Sequence, residues 1–376
     1  MDTTTQDRAK EYIDSYIEHF EPRMPRIWNY EEGCVLRGAQ LIYQITNDDK
    51  YLQFIKDFLK VYILDDGTIN YYRLEEYNID KINPGKVLLF MYEETREEKY
   101  RIAFETLVKQ LEGQPRCNCG NFFHKAIYPY QVWLDGVYMA LPFLMEYDTK
   151  YGKLQHYQDI RNQFDNVEKY LYNPETKLHY HGYDETKSIF WCNKETGCSQ
   201  NYWLRSIGWH LMALVDVMSA MNKEMYADYR AYVDIFRKTL DGVLFYQDQK
   251  SKLFYQVVDH RENPKNYLET SGSVMIAYAI IKACNMRIID SEKYYKIGCE
   301  IFENIVTQKV KNEGDRIVLS DNCKVAGLGP IDDLRRDGTV AYYLSEPIIN
   351  DDKKSVGTFF MTYSEIEKYE KNWRFK

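Results

Sequence analysis

Nowhere in this chain do apolar residues run free of charge for the ~18 positions that a membrane-crossing helix needs, so no membrane partner is expected. The first twenty residues, MDTTTQDRAKEYIDSYIEHF, lack the basic start, apolar middle and small-residue cleavage site of a secretory leader. A cytoplasmic protein is the expectation. Cationic residues are in deficit too. With 49 Lys and Arg against 57 Asp and Glu the net charge is −8, whereas a general nucleic-acid binder needs a basic footprint to displace counterions. No nucleic-acid partner is expected, and an anionic substrate would need locally placed Lys or Arg.

Eight cysteines in 376 residues are too sparse for a disulfide framework. The tightest groups, Cys117 with Cys119 in RCNCG and Cys192 with Cys198 in WCNKETGC, miss the paired CxxC spacing of a zinc site. His179 and His181 in HYHGYDE would share a face if extended, but the sequence offers them no third ligand. No metal and no other cofactor is expected. No Pro/Gly/Ser linker, low-complexity tract or long charge run divides the chain, which reads as a single domain over residues 1–376.

Tyrosine is what the chain has in quantity. Its 35 Tyr, with 17 Phe and 6 Trp, supply many rings with polar tips, which suit a wet cleft and equally fill cores. Apolar periodicity is more informative. Residues 7–20 place Ala9, Tyr12, Ile13, Tyr16, Ile17 and Phe20 on one stripe with charges opposite, the mark of an amphipathic surface helix. Similar one-sided patterns recur at 51–63, 98–111, 154–172, 225–241 and 292–307. Between them lie six segments that open on a polar or aromatic turn with Gly and continue apolar on most sides, starting at Asn29, Ile82, Gln131, Arg205, Glu269 and Ser355. A helix apolar all round is an interior one. Six interior helices alternating with six one-sided ones predict an all-α fold, a six-fold α/α barrel built as a double ring of helical hairpins. Four short alternating stretches, from Asp66, Thr176, Ser251 and Gly314, predict small β-hairpins on one rim.

In such a ring the interior helices start at one mouth. Asp80 in NIDKINPGK precedes the second of them. Lys125 and Asp135 lead into the third, His181, Trp203, Arg205 and Trp209 into the fourth, and Glu269, Thr270 and Ser271 into the fifth. Asp135 is the single charge in YPYQVWLDGVYMALPF. It can be a helix N-cap, or an acid whose proton affinity is raised by its apolar flank and by a neighbouring Asp80 carboxylate, giving an acid near neutral pH. Asp80 can likewise cap, Trp203 and Trp209 can be core rings, Arg205 can pair with a loop carboxylate, Lys125 can be a surface residue and His181 can bond locally. Two carboxylates, two bases and two indoles at one mouth favour a site.

These residues resemble the unsaturated rhamnogalacturonyl hydrolases, glycoside hydrolase family 105, relatives of the unsaturated glucuronyl hydrolases. The resemblance rests on NIDKINPGK, GNFFHKAIYPYQVWLDGVYM, YHGYDE, YWLRSIGW and ETSGSVMIAYAI, which follow one another along most of the chain. It implies the same barrel, catalytic Asp135 with Asp80 as second acidic residue, and Lys125, His181, Trp203, Arg205 and Trp209 lining the substrate subsites. It also implies an oligosaccharide partner ending in a 4,5-unsaturated uronic acid, taken from pectin-type rhamnogalacturonan by a lyase, and a monomer or homodimer. Asp135 would protonate C4 of the vinyl ether and then, as carboxylate, take a proton from water attacking C5, with Asp80 holding that water and keeping Asp135 protonated. Leu204 stands where the family pattern suggests Gly, and a branched side chain there is expected to narrow the subsite of the leaving sugar. Three rivals stand beside this reading: an unsaturated glucuronyl hydrolase acting on other lyase products, an inverting glycosidase using Asp135 as acid and Asp80 as base, and a sugar-binding toroid without catalysis.

Overall fold

A computed structural model describes residues 1–222 and 224–374. Among the described residues, twelve long helices form two concentric rings. The outer helices are α1 (Thr3–Glu18), α3 (Asp49–Tyr62), α5 (Glu98–Gly113), α7 (Tyr157–Leu171), α9 (Tyr226–Leu244) and α11 (Ser291–Lys309). The inner ones are α2 (Tyr30–Thr46), α4 (Gly85–Thr95), α6 (Leu134–Lys150), α8 (Leu204–Ala220), α10 (Thr270–Asn285) and α13 (Lys353–Arg374), and a four-residue α12 (Val340–Tyr343) interrupts the loop before the last. Each inner helix packs on the next, and α13 packs on both α10 and α2, so the inner ring is closed. This is the α/α barrel that the periodicity predicts.

The sequence dictates the layering locally. In α3 the buried Tyr51, Leu52, Ile55, Phe58, Leu59 and Tyr62 recur at helical spacing on one side, leaving the charges to water. Fifteen of the seventeen residues of α8 are buried, as an inner position requires. Ring closure depends on glycine. A Cβ on Gly38 of α2 would stand 2.7 Å from the Gly357 carbonyl oxygen of α13, and one on Gly357 would stand 2.3 Å from the Cys34 carbonyl carbon, so the two backbones touch where side chains would hold them apart. Tyr12 of α1 then meets Phe359 edge-on at 5.2 Å, seating the first helix over the last.

Four two-stranded antiparallel ladders lie in the connections. Two of the four predicted stretches contain strands: Leu178–His179 and Gly182–Asp184 in the second, Arg316–Leu319 and Asn322 in the fourth. The stretches from Asp66 and Ser251 do not form hairpins. Their alternating apolar residues are consumed by the barrel wall, where Leu253, Phe254 and Val257 are buried, and their backbones make only isolated bridges such as Ile63 with Ile69 and Trp203 with Val257. All eight cysteines are free thiols.

Candidate active site

One ladder brings the principal carboxylate to its partner. Gln131–Trp133, leading into α6, pairs with Gly182–Asp184 so that Trp133 faces Gly182, and the Leu134 amide donates to the His181 carbonyl at 3.1 Å. His181 is thereby fixed beside the first turn of α6, which contains Asp135. The α6 N-cap is Trp133, without a side-chain capping bond, so Asp135 is not a cap. Its Oδ2 lies 3.1 Å from His181 Nε2. Neither atom makes a directed hydrogen bond, so the contact acts as a close electrostatic pairing. The other ring nitrogen, His181 Nδ1, is 2.8 Å from the Tyr343 hydroxyl on α12, and His181 itself is fully buried.

The electrostatics correct one expectation. Burial pushes the Asp135 carboxyl up, but the adjoining His181 and the charges of His124 and Arg205 outweigh it and hold it below its ordinary value. Asp80 does not supply the expected like-charge repulsion because its own charge is neutralised: Lys125 Nζ stands 2.8 Å from one oxygen and His124 Nε2 2.9 Å from the other. Burial opposes ionisation of Asp80, and Lys125 and His124 overcome it, leaving the carboxyl far below the usual range. Asp80 does not cap α4 either, since the cap there is Pro84.

Asp80, Lys125, Asp135, Trp203 and Arg205 line one cavity of about 450 Å³. Arg205 is buried and, among the described residues, has no carboxylate within ion-pair distance. Its guanidinium donates instead to the carbonyls of Cys323 and of Lys324 (3.3 Å) and to the Ser271 hydroxyl (3.1 Å), and it lies over the Trp203 ring at 4.7 Å. Trp203 Nε1 donates to Gln256 at 3.2 Å, turning the ring toward His181, 4.7 Å away. Glu269, at the start of α10, is a cap, accepting from the amides of Ser271, Gly272 and Cys323.

Of the seven site residues that the resemblance implies, two stay outside the cavity wall. His181 lies behind Asp135. Trp209 is buried one turn deeper in α8 and stacks on Tyr138 at 4.7 Å, so it braces the cavity floor from within the core. Leu204 is also away from the cavity. It is fully buried, and its Cγ fills the space beside Gly272, so the expected narrowing of a subsite does not occur. The sequence reading passed over His124, Arg336 and Tyr343. His124 stands next to Lys125, where its partnership with Asp80 was detectable only through the fold. Arg336 and Tyr343 come from the aperiodic loop and short helix between 324 and 347, and Arg336 lines the cavity while donating to the Gly327 carbonyl at 2.8 Å.

The missing third ligand for the histidine pair is a further correction. The chain turns between His179 and Gly182, so His179 and His181 face different places, and His179 meets Glu168 and His210.

The model of Glycosyl Hydrolase Family 88 matches residues 2–370. The chain belongs to that family. It is therefore a glycoside hydrolase. A solved glycoside hydrolase of family 105 from C. acetobutylicum ATCC 824 is similar at 40% identity and a TM-score of 0.91, covering 96% of this chain and 99% of the other, in agreement with the family 105 resemblance. The unsaturated rhamnogalacturonyl hydrolase YesR of Bacillus subtilis (strain 168) is 25% identical over 283 residues, 73% of this chain and 77% of its own length. An unsaturated glucuronyl hydrolase from Bacillus sp. GL1, responsible for the degradation of glycosaminoglycan, shares the fold at a TM-score of 0.69 and 11% identity, covering 97% of each chain. In this chain the carboxylates, cations and indole just described meet near the starts of the inner helices. Among the described residues no helix is long and apolar enough to cross a membrane.

Proposed function

We propose that this enzyme releases a 4,5-unsaturated uronic acid from the non-reducing end of lyase-generated oligosaccharides, with unsaturated galacturonyl-rhamnose as its substrate, by hydrating the C4=C5 vinyl ether. The observation that carries the reading is Arg205: a buried guanidinium held by carbonyl oxygens and a hydroxyl, without a carboxylate partner, in the same cavity as Asp135. Asp352 and Glu269 act on this cation only from beyond ion-pair distance, so its guanidinium can still take a direct anionic partner, and a uronate carboxylate supplies one. Arg336 on the same wall, 3.9 Å from Asp333, adds further positive charge.

Asp135 is the catalytic acid and then the base. Its carboxyl is held ionised in the free enzyme, and a uronate carboxylate pairing with Arg205 offsets one of the charges that hold its proton affinity down, so that the proton affinity of Asp135 rises. The protonated Asp135 delivers its proton to C4, and positive charge develops at C5 and the ring oxygen. Water adds at C5 and gives a proton back to the Asp135 carboxylate. The hemiketal so formed opens and releases the neighbouring sugar. His181 positions Asp135, Asp80 with Lys125 shapes the polar wall, and the Trp203 ring offers a face for the sugar. Because Asp80 is engaged by Lys125 and His124, it is poorly suited to act as a free base, which favours hydration by one acid over inversion by two carboxylates.

The test is turnover of an unsaturated rhamnogalacturonan disaccharide in deuterated and in oxygen-labelled water. Deuterium at C4 of the uronate and heavy oxygen first at C5 are expected. Label at the anomeric carbon with no deuterium at C4 would replace hydration by direct hydrolysis, and binding without turnover would rule out unsaturated galacturonyl-rhamnose as the substrate.

A further inference from the structure

Away from the cavity, three potential ligands meet in the wall where α7, α8 and α9 adjoin. Glu168 of α7, His179 of the short strand Leu178–His179 and His210 of α8 each contribute a donor atom, all within 4.8 Å of one another. His179 Nε2 is 2.5 Å from Glu168 Oε1, and His210 Nε2 is 3.7 Å from the same oxygen. Both imidazoles are fully buried. Neither nitrogen of His210 has a hydrogen-bond partner, and His179 Nδ1 has none. Buried polar groups are nearly always paired, so an imidazole aimed at a carboxylate with both nitrogens unused calls for a ligand. Lys238 of α9 pairs with the other Glu168 oxygen while its ammonium sits over the Tyr172 ring. None of the three converging groups lines the Asp135 cavity.

We infer that Glu168, His179 and His210 bind one divalent transition metal of the zinc class, as a structural centre distinct from the catalytic cavity. Two imidazoles and one carboxylate are a ligand set that zinc accepts, with a water completing four-fold coordination. Ligand atoms about 2.1 Å from a tetrahedral ion stand roughly 3.4 Å apart, and the two separations from Glu168 Oε1 lie on either side of that spacing. The short one opens as the ion enters between the imidazole and the carboxylate. Lys238 stays on the second oxygen and orients the carboxylate, as outer partners of metal ligands do. The ion would join an outer helix, an inner helix and the strand that runs two residues on into His181, and it would therefore stiffen the support of Asp135 without touching substrate.

The full chain, stripped with chelator and desalted, would be titrated with zinc by calorimetry and with cobalt(II) by visible absorption. One equivalent of zinc per chain, a rise of several degrees in Tm and the intense visible bands of four-coordinate cobalt are expected. His210→Gln should lose the bands and the zinc-dependent rise while its metal-free Tm stays close to that of the stripped wild type. Asp135→Asn should keep both, which separates this centre from the proposed catalysis. Absence of a stoichiometric zinc equivalent or of four-coordinate cobalt bands in the wild type overturns the inference. So does undiminished binding by His210→Gln. Should that variant not fold, the wild-type cobalt spectrum decides alone.

Discussion

Asp80 and Lys125 form an ion pair, Oδ2 to Nζ at 2.8 Å, and that pair withdraws Asp80 from influence over Asp135. In the proposed reaction the proton is then left to Asp135 and the substrate.

Asp135→Asn should retain the fold and lose turnover by about 10²-fold to 10⁴-fold, the usual cost of removing a general acid or base. The side chain is not a helix cap, so little stability goes with it. Loss of the ultraviolet absorbance of the conjugated uronate, followed beside a thermal melt, checks both halves. Near-normal turnover would remove Asp135 from the mechanism.

The free enzyme holds the Asp135 carboxyl below its ordinary value, so kcat/KM should rise as the pH is lowered from neutrality toward the carboxylate range. The corresponding limb of kcat should lie at higher pH, because the bound uronate favours protonation of Asp135. Full pH–rate profiles test this, and a kcat/KM that rises toward alkaline pH contradicts it.

Asp80 has a depressed carboxyl, so its contribution to stability is present above the unfolded-state value and is lost as the pH falls through the folded-state value. Asp80→Asn should cost about 1–3 kcal/mol at neutral pH, toward the lower end because Lys125 is 27% exposed and can turn to water. The gap to wild type should shrink as the pH drops below the carboxylate range, where the wild type is losing the same charge. Urea titrations at several pH values measure it. A constant gap would show that the pair does not titrate with folding.

Tyr343→Phe deletes only the hydroxyl that meets His181 Nδ1 at 2.8 Å. A net hydrogen bond is worth about 1 kcal/mol, so kcat should fall on the order of 5-fold with KM nearly unchanged. The pH limb of kcat should move with it, since His181 would lose the partner that fixes its tautomer. Unchanged kcat and pH profile would make Tyr343 purely a packing residue.

Gly272→Ala would set a Cβ 2.4 Å from Leu204 Cγ, and the overpacking should cost about 1–3 kcal/mol. Adding Leu204→Ala should return part of that loss, a coupling that a double-mutant cycle of denaturation free energies reads directly. Additive losses would mean that the two residues do not compete for one space.

The barrel was legible because its signal is repeated: twelve periodic segments differ in how many faces are apolar, and that difference is enough to assign Tyr51 to an outer helix and Leu211 to an inner one. Asp80, Lys125, Asp135, Trp203 and Arg205 were legible as neighbours because inner helices share a mouth. Partnerships were not legible. That Lys125 and His124 clamp Asp80, that Tyr343 reaches back 162 positions to His181, and that His179 turns away from His181 toward Glu168 all depend on where loops fold over the mouth, and loops carry no period. Leu204 misled for the same reason: its sequence neighbours line the cavity while its own side chain points at α10.

The contact of Gly38 with Gly357 joins segments more than three hundred positions apart, and it completes the inner ring. A ring that closes through its last helix has no finished intermediate: while α13 is still being synthesised, α2 and α10 present apolar flanks to water with nothing yet available to cover them. Contacts of such long sequence separation slow folding and lengthen the period in which those flanks can meet other chains. Production of this protein should accordingly be limited by how quickly the nascent chain is sealed, and slower synthesis at lower temperature should raise the soluble fraction more than any substitution in the Asp135 cavity.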